Sequence, residues 1–187
     1  MGRVGLNQQK LVLAAADLAD AEGFEAVTMS AMARRFEVKA ASLYSHVAST
    51  ADLRAQIAVL ALGELAERAG AAVAGRSGSD ALLEFASAYR DYARLHPGRY
   101  AATRHPLPEH LLAAGRAHAE LTYAVLRGYG LGGEDATHAV RLIGSVLHGF
   151  TDLELSGGFS HSAPPSQESW LRAIEALDAT LTRWARA

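Results

Sequence analysis

TMSAMARRFEVKAASLYSHVASTADL, residues 28–53, is the stretch of the chain that decides its fold. Thr28 can cap a helix, because its hydroxyl accepts a hydrogen bond from an unpaired amide one turn further on. Behind it, apolar residues recur at helical spacing as far as Phe36. The pattern then breaks, and it resumes with Leu43 and Val47, which lie one helical turn apart. The stretch therefore predicts two short helices separated by a tight turn.

A first helix of about eight residues, a turn of three or four and a short second helix match the helix-turn-helix form. In this form the second helix presents its N-terminal residues to the major groove of DNA. The candidate second helix spans residues 40–46, and its first residues are small enough to approach base edges closely. Ser42 can hydrogen-bond to bases or phosphates, and an alanine methyl can contact a thymine methyl. Lys39, just before the helix, can reach a phosphate or a guanine, or it can stay solvated in the turn.

Three segments carry a family resemblance: GFEAVTMSAMA (residues 23–33), FEVKAASLYSHV (36–47) and ADL (51–53). Together they resemble the DNA-binding domain of the tetracycline-repressor (TetR) family. This resemblance implies an all-helical homodimer with an N-terminal helix-turn-helix for operator DNA and a C-terminal helical domain for a small-molecule inducer. It also implies that Tyr44 and His46 contact backbone phosphates, although the Tyr44 ring can instead pack in the core.

The motif departs from the family pattern at two places. The turn usually carries glycine where this chain has Glu37, and a left-handed residue there would cost about 1 kcal/mol. The segment after His46 usually carries a lysine that is missing here, so we expect weaker nonspecific DNA binding. If the first helix straddles the groove, Thr28 and Ser30 face the opposite phosphates. The predicted DNA-binding residues are Thr28, Ser30, Lys39, Ala40, Ala41, Ser42, Tyr44 and His46.

The composition of the chain points to an all-α fold. Half of the 187 residues are apolar, five are prolines and none is cysteine, which excludes disulfides and thiolate zinc sites. Alanine is abundant and strand-like alternation is nearly absent. The net charge of −2 argues against a protein that simply coats nucleic acid, so DNA binding depends on the motif. Residues 34–54 form a modestly positive patch, in which Arg34, Arg35, Lys39 and Arg54 stand against Glu37 and Asp52. No apolar run reaches roughly 20 residues and no signal peptide is evident, which predicts a cytoplasmic protein without membrane contact.

A long helix is expected to follow the motif, from Thr50 to about Val73. Such a helix can contact the DNA-binding unit at its start and a second unit at its end, so it can act as a lever between them. We place the functional boundary inside it. Residues 1–57 then form the helix-turn-helix DNA-binding domain, and residues 58–187 form a ligand-binding and dimerisation domain. About nine helices are expected in all.

The last two predicted helices have the character of a subunit interface. The eighth, residues 134–156, is apolar around more than half of its circumference, which indicates burial on more than one side. The ninth carries a wide apolar stripe and two tryptophans, a composition typical of interfaces. Helices eight and nine of two chains would form a four-helix bundle. The predicted dimer-interface residues are Leu142, Val146, Phe150, Trp170, Ile174, Leu177 and Leu181.

A small-molecule cavity is expected between the fifth, seventh and eighth helices. His118 and Thr122 are polar residues on an apolar stripe, so they need partners on neighbouring helices or they line a pocket. Residues 88–100 and 147–159 resemble a C-terminal domain type named for a W-H-G signature, with Leu147 in place of its tryptophan. The candidate ligand-binding residues are Tyr89, Tyr92, Tyr100, His118, Thr122 and His148, and core packing is the alternative for all six.

The sequence contains no recognisable catalytic or metal-binding pattern. The eight histidines show no metal-ligand spacing such as H-E-x-x-H, so no metal and no cofactor are expected. Neither a nucleophile elbow nor a phosphate loop occurs, which argues against an enzyme. The sequence predicts a homodimeric, ligand-responsive transcription regulator, a repressor that binds a near-palindromic operator and is released by an inducer. The alternatives are a helical dimeric small-molecule-binding protein with weak or lost DNA binding, and an enzyme on this scaffold.

Overall fold

The computed structural model describes residues 6–185, except the side chain of Ala114, and within that range the chain is helical without strands. The all-α prediction is therefore confirmed. Short 3-10 helices at Phe24–Ala26 and Glu109–Leu111 accompany the α-helices. In the described range these α-helices are α1 (Gln8–Glu22), α2 (Met29–Phe36), α3 (Ala40–Leu43), α4 (Thr50–Val73), α5 (Gly78–Leu95), α6 (Pro97–Ala102), α7 (Leu112–Arg127), α8 (Gly133–Leu155) and α9 (Ser166–Trp184).

The chain packs as two compact units that do not follow its linear order. The N-terminal unit contains residues 1–64 together with residues 95–115. The C-terminal unit contains residues 65–94 together with residues 116–187. Helix α4 therefore begins in one unit and ends in the other. The functional boundary expected at residues 57 and 58 stays a prediction, while the packing adds α6 and its flanking segments to the N-terminal unit.

Helix α1 is formed by local signals at both of its ends. The Asn7 side chain accepts a hydrogen bond from the Lys10 amide at 2.9 Å, and Gly23 ends the helix with a φ of 93°. One face of α1 is buried and belongs to a core that also includes Leu43 and Ile57.

The helix-turn-helix is present as expected. The Thr28 hydroxyl accepts a hydrogen bond from the Ala31 amide at 3.1 Å and caps α2. Glu37 ends α2 in the left-handed conformation, with φ 54° and ψ 41°. Helix α3 is shorter than predicted, because it ends at Leu43 and the chain continues to His46 as a turn.

Helix α6 packs end-on against the last turn of α1. Gly98 is buried, and a methyl group on it would overlap the Ala19 carbonyl and lie 2.6 Å from the Asp20 amide nitrogen. The Asp20 carboxylate accepts a hydrogen bond from the Arg99 amide at 2.8 Å, and its other oxygen lies 3.0 Å from Nδ1 of His96. Only glycine permits this close approach of two backbones.

The Arg99 side chain joins α6 to two other helices. Its guanidinium lies 2.6 Å from Asp17 and 3.1 Å from Asp20 on α1, and 3.0 Å from Glu64 on α4. Burial lowers the pKa of Arg99, but the three carboxylates outweigh burial, so the net direction is upward. The Asp17 side chain stays 56% exposed while it pairs with Arg99, whereas the Asp20 side chain is only 17% exposed.

The C-terminal unit has its own buried ion pair. Arg90 of α5 is 2% exposed and donates two hydrogen bonds to Glu154 of α8, at 2.8 and 2.6 Å. Its guanidinium also lies 5.0 Å from the Trp170 ring of α9. The hydrogen bond from Arg90 lowers the pKa of Glu154 to about 2; burial opposes the shift, and Ser166 adds to it. These contacts hold α5, α8 and α9 together.

Candidate nucleic-acid interface and ligand site

The start of α3 and the turn before it form the candidate DNA-contacting surface. Leu43 and Val47 point into the core, with exposed fractions of 0% and 3%, and so fix which side of the segment faces outward. On that outward side Lys39 and Ser42 are exposed, and the Tyr44 side chain is 54% exposed. Core packing of the Tyr44 ring, which the sequence left open, does not occur.

The eight predicted DNA-binding residues are all at least partly accessible on this surface. Ala40 and His46 are half-buried, and the other six are exposed. The Ser42 hydroxyl donates to the Lys39 carbonyl at 2.6 Å, so its oxygen lone pairs stay available to accept from a base or an amide. The Thr28 oxygen caps α2, which leaves its O–H group to donate. The surface thus offers both a hydrogen-bond donor and a hydrogen-bond acceptor.

Two arginines that sequence reasoning counted only as local charge also lie near this surface. Arg34 and Arg35, in the last turn of α2, are exposed. Arg54, which had been counted in the same positive patch, is instead directed inward onto carbonyl oxygens of the segment before α2. The accessible positive charge near the motif therefore comes from Lys39 and the α2 arginines.

Three of the six predicted ligand residues meet inside the C-terminal unit. The Tyr89 ring of α5 lies 5.2 Å from the His118 ring of α7 and 6.4 Å from the His148 ring of α8, measured between ring centroids. Thr122 lies one turn after His118, and its hydroxyl oxygen is 3.4 Å from the His118 carbonyl oxygen. We name Tyr89, His118, Thr122 and His148, with the neighbouring Thr151, the polar cluster.

The polar cluster includes a neutral imidazole and two buried hydroxyls without partners among the described residues. Burial, with a smaller contribution from His148, lowers the pKa of His118 to about 4, so this imidazole is neutral at pH 7. The Tyr89 hydroxyl and the Thr151 hydroxyl are both buried and have no hydrogen-bond partner. Buried polar atoms without partners are uncommon and often mark a place where a ligand or water binds. Sequence reasoning missed Thr151, although it lies one turn after His148.

Of the other two predicted ligand residues, Tyr92 lies one helical turn after Tyr89 on α5, and Tyr100 lies on α6. Tyr92 is buried, and the Arg68 guanidinium lies 5.5 Å from its ring centroid. Tyr100 belongs to α6 in the N-terminal unit, where it is buried beside Arg104. The cluster and Tyr100 are thus parts of different units.

The predicted interface residues divide into two groups. On α8, Leu142, Val146 and Phe150 are partly exposed. On α9 the predicted residues are buried within their own unit, with exposed fractions of 4% or less: Trp170, Ile174, Leu177 and Leu181. Exposed leucines nearby were not singled out from the sequence: Leu153 at 53%, Leu155 at 41% and Leu171 at 41%.

The described residues also bear on metal binding and on membrane insertion. Between residues 6 and 185, no three His, Asp or Glu side chains are grouped so that they could hold a metal ion. No helix in that part of the chain is long and apolar enough to cross a membrane.

A helix-turn-helix with an outward-facing second helix, followed by a helical unit with a buried polar cluster, defines the class of helix-turn-helix DNA-binding proteins. Residues 11–57 match the family model of the bacterial regulatory proteins of the tetR family. Residues 82–177 match the model of the tetracyclin repressor-like C-terminal domain. The chain therefore belongs to the tetR family and is a DNA-binding transcriptional regulator. The W-H-G subtype of its C-terminal domain stays a prediction.

Relatives support the same assignment. The chain is 41% identical over 157 residues to the uncharacterized HTH-type transcriptional regulator Rv0681 of Mycobacterium tuberculosis, covering 81% of this chain and 72% of the relative. It is 34% identical over 154 residues to the uncharacterized HTH-type transcriptional regulator YobS of Bacillus subtilis, covering 81% and 80%.

Solved structures share the fold at low sequence identity. Apo ActR from Streptomyces coelicolor superposes with a TM-score of 0.70 at 20% identity, covering 97% of this chain and 99% of ActR. BioQ from Mycobacterium smegmatis superposes with a TM-score of 0.69 at 21% identity, covering 95% and 99%. ActR has also been solved with actinorhodin, and BioQ with a double-stranded DNA operator.

Proposed function

We propose that two copies of this chain bind one near-palindromic operator as a homodimer and repress transcription until a small-molecule inducer releases them. The outward orientation of α3 above the buried Leu43 is the observation that carries this proposal. Each copy would place the start of α3 in a major groove, and the two grooves would lie about one helical turn apart, roughly 34–36 Å. The BioQ–operator complex supports operator binding by a protein of this fold.

At the DNA we assign two roles to the exposed residues. Lys39, at the start of α3 together with Ala40, Ala41 and Ser42, would face base edges, where small side chains permit close approach. Thr28, Ser30, Tyr44 and His46 would contact phosphates on the two sides of the groove, which fixes orientation without reading sequence. Tyr44→Phe should then lower the affinity for all operator sequences alike, whereas Lys39→Ala should change the sequence preference. An equal loss across sequences for Lys39→Ala would exclude base contact by Lys39.

The partly exposed apolar face of α8 supports homodimer formation. Leu142, Val146 and Phe150 keep accessible surface, and Leu153 is 53% exposed. Leu171 on α9 would join them. The predicted α9 residues from Trp170 to Leu181 would then act indirectly, because they anchor α9 to its own unit. Light scattering during size-exclusion chromatography tests the dimer, and Leu153→Glu should shift the protein toward the monomer.

The polar cluster is our candidate inducer site. It offers the Tyr89 and Thr151 hydroxyls, which lack partners, beside a neutral His118. Such a site suits an uncharged, largely apolar molecule with a few hydrogen-bonding atoms, because an unpaired buried charge would be strongly unfavourable. The ActR complex with actinorhodin supports ligand binding by this fold. Tyr92 and Tyr100 stay candidates from the sequence.

Operator binding can be tested without knowing the operator. The wild-type protein selects duplexes from a random DNA library, and fluorescence anisotropy then measures their affinity over a range of salt concentrations. Sequence-specific, salt-sensitive binding supports the proposal, and failure to select any duplex at low salt favours the alternative of a small-molecule-binding protein with lost DNA binding.

The inducer is then sought by a thermal-shift ligand screen, and compounds that stabilise the protein are tested for release of the selected duplex. Tyr89→Phe should weaken binding of the compounds found in the screen while leaving the affinity for DNA unchanged.

The cellular location of the protein follows from its proposed partner, operator DNA. A bacterial regulator that binds operator DNA works in the cytoplasm, so we propose a cytoplasmic protein. Because the family consists of transcriptional regulators, we assign no catalytic role to the histidines of the polar cluster.

A further inference from the structure

Arg54 of α4 is directed into the protein, onto the short segment that precedes α2. Its Nε donates to the Val27 carbonyl at 3.2 Å, and Nη2 donates to the Glu25 carbonyl at 2.8 Å. Nη1 also lies 2.8 Å from the Glu25 carboxylate. The Arg54 side chain is only 19% exposed, and its guanidinium lies 5.4 Å from the centroid of the Phe24 ring. All three nitrogens of the guanidinium are therefore engaged within the protein.

The two carbonyls that Arg54 holds are close to the first DNA-contacting residue. Val27 immediately precedes Thr28, whose hydroxyl caps α2. A planar guanidinium presents its donors in a fixed fork, so it fixes the relative position of two carbonyls. The position of Thr28, and with it the start of α2, is thus tied to α4.

The same segment also contacts a later part of the chain. The Phe24 ring, which the Arg54 guanidinium overlies, makes an edge contact with the His105 ring at 5.5 Å between centroids. His105 belongs to residues 95–115, the part of the chain that joins the N-terminal unit after an excursion through the C-terminal unit. The segment before α2 therefore contacts both α4 and residues 95–115.

We propose that Arg54 is a positioning residue for operator binding: it holds the Phe24–Val27 turn so that Thr28 and α2 are set correctly against DNA, and it does not contact DNA itself. This inference rests on the proposed operator binding.

The competing role for an arginine in this region is a phosphate contact, and the two roles predict different salt dependences. Each phosphate contact adds about 0.9 to the slope of log affinity against log salt concentration. Loss of a positioning residue lowers specific affinity but leaves the number of phosphate contacts, and so the slope, nearly unchanged. The two roles also differ in their response to lysine, which keeps the charge but cannot form the fork.

The experiment uses the full chain and a duplex that the wild-type protein has selected from a random library, with a scrambled duplex of equal length as the nonspecific probe. Arg54→Ala and Arg54→Lys should each weaken binding of the selected duplex about tenfold, with little change for the scrambled duplex and with the salt slope retained. Glu25→Gln is the matched control. It removes only the ion pair to a side chain that is 84% exposed, so it should bind like the wild type.

Two results would overturn the proposal. One is a salt slope about 0.9 smaller in Arg54→Ala together with normal affinity in Arg54→Lys, which would make Arg54 a phosphate contact. The other is wild-type affinity in both folded variants. If circular dichroism shows that Arg54→Ala does not fold, then Arg54→Lys alone decides between these outcomes. If the wild-type protein selects no duplex, the proposed function fails first, which is a separate result.

Discussion

Gly98→Ala tests the close packing of α6 against α1. A β-carbon at Gly98 would overlap the Ala19 carbonyl and lie 2.6 Å from the Asp20 amide nitrogen. These are backbone atoms of α1, so no side chain can swing away to make room, and α6 must move. The movement would also strain the hydrogen bond from the Arg99 amide to Asp20, which is 2.8 Å long.

The size of the effect follows from the two losses. Overpacking in a well-packed site costs about 1–3 kcal/mol, and a weakened hydrogen bond to a carboxylate costs about 1.5–3 kcal/mol. The better helix propensity of alanine returns roughly 1 kcal/mol. We therefore expect a net loss of about 1.5–5 kcal/mol. For a protein of 150–250 residues this lowers the melting temperature by about 3–20 °C.

Gly63→Ala is the matched control, because Gly63 lies within α4 and nothing lies within 4 Å of the position of an added β-carbon. It should raise stability by roughly 0.5–1 kcal/mol. Thermal and urea unfolding, followed by circular dichroism, measure both variants. If Gly98→Ala is as stable as Gly63→Ala, then α6 is not held against α1 in solution and the packing described for the N-terminal unit is incorrect.

Three further effects on stability follow from single residues. Glu37→Gly should raise the free energy of unfolding by about 1 kcal/mol, measured in urea, since Glu37 has a φ of 54°. Because burial lowers the pKa of His118 to about 4, stability should fall as the pH drops from 6.5 toward 4, and His118→Asn should flatten this loss. Because Arg90 lowers the pKa of Glu154 to about 2, a second loss should occur between pH 4.5 and 2 and should be absent in Glu154→Gln.

The helix-turn-helix could be predicted because its signals are local. The Thr28 cap lies at the start of the helix that it caps, and the left-handed Glu37 lies at the end of the same helix. Apolar residues recur one helical turn apart, so their spacing alone identifies Leu43 and Val47 as inward-facing. Helix α4 was predicted from Thr50 to Val73 for the same reason, since apolar spacing and a following break determine its length.

The ion pairs of the N-terminal unit could not be predicted in this way. Arg99 meets Asp17 and Asp20, which lie 82 and 79 positions earlier in the chain. Periodicity identifies these aspartates as polar positions of α1, but it does not reveal which charge lies beside them in the fold. The same limit applies to Arg54, whose charge suggested DNA and whose contacts are internal.

The α9 stripe shows a third kind of limit. Its spacing correctly indicates that Trp170, Ile174, Leu177 and Leu181 are buried, but the amount of apolar surface does not determine what covers it. In the structure Trp170 is 1% exposed and packs against Phe150 and Arg90 of its own chain. The exposed leucines at positions 153, 155 and 171 could not be distinguished from buried ones by sequence pattern.

The division into units changes how a ligand signal would reach the DNA-contacting surface. The sequence suggested a single lever, α4, but the chain passes between the two units after residues 64, 94 and 115. A change in the polar cluster would therefore reach the N-terminal unit along three chain segments. One of them leads directly into α6, whose Gly98 and Arg99 contact α1, and whose following segment contacts Phe24. Phe24 also contacts Arg54, which belongs to α4. A movement of α4 and a movement of residues 95–115 would therefore both be transmitted to the segment before α2. Under the proposed function, an inducer that shifted α4 while α6 stayed fixed would strain this segment, and release of DNA would require both segments to move together or these contacts to break.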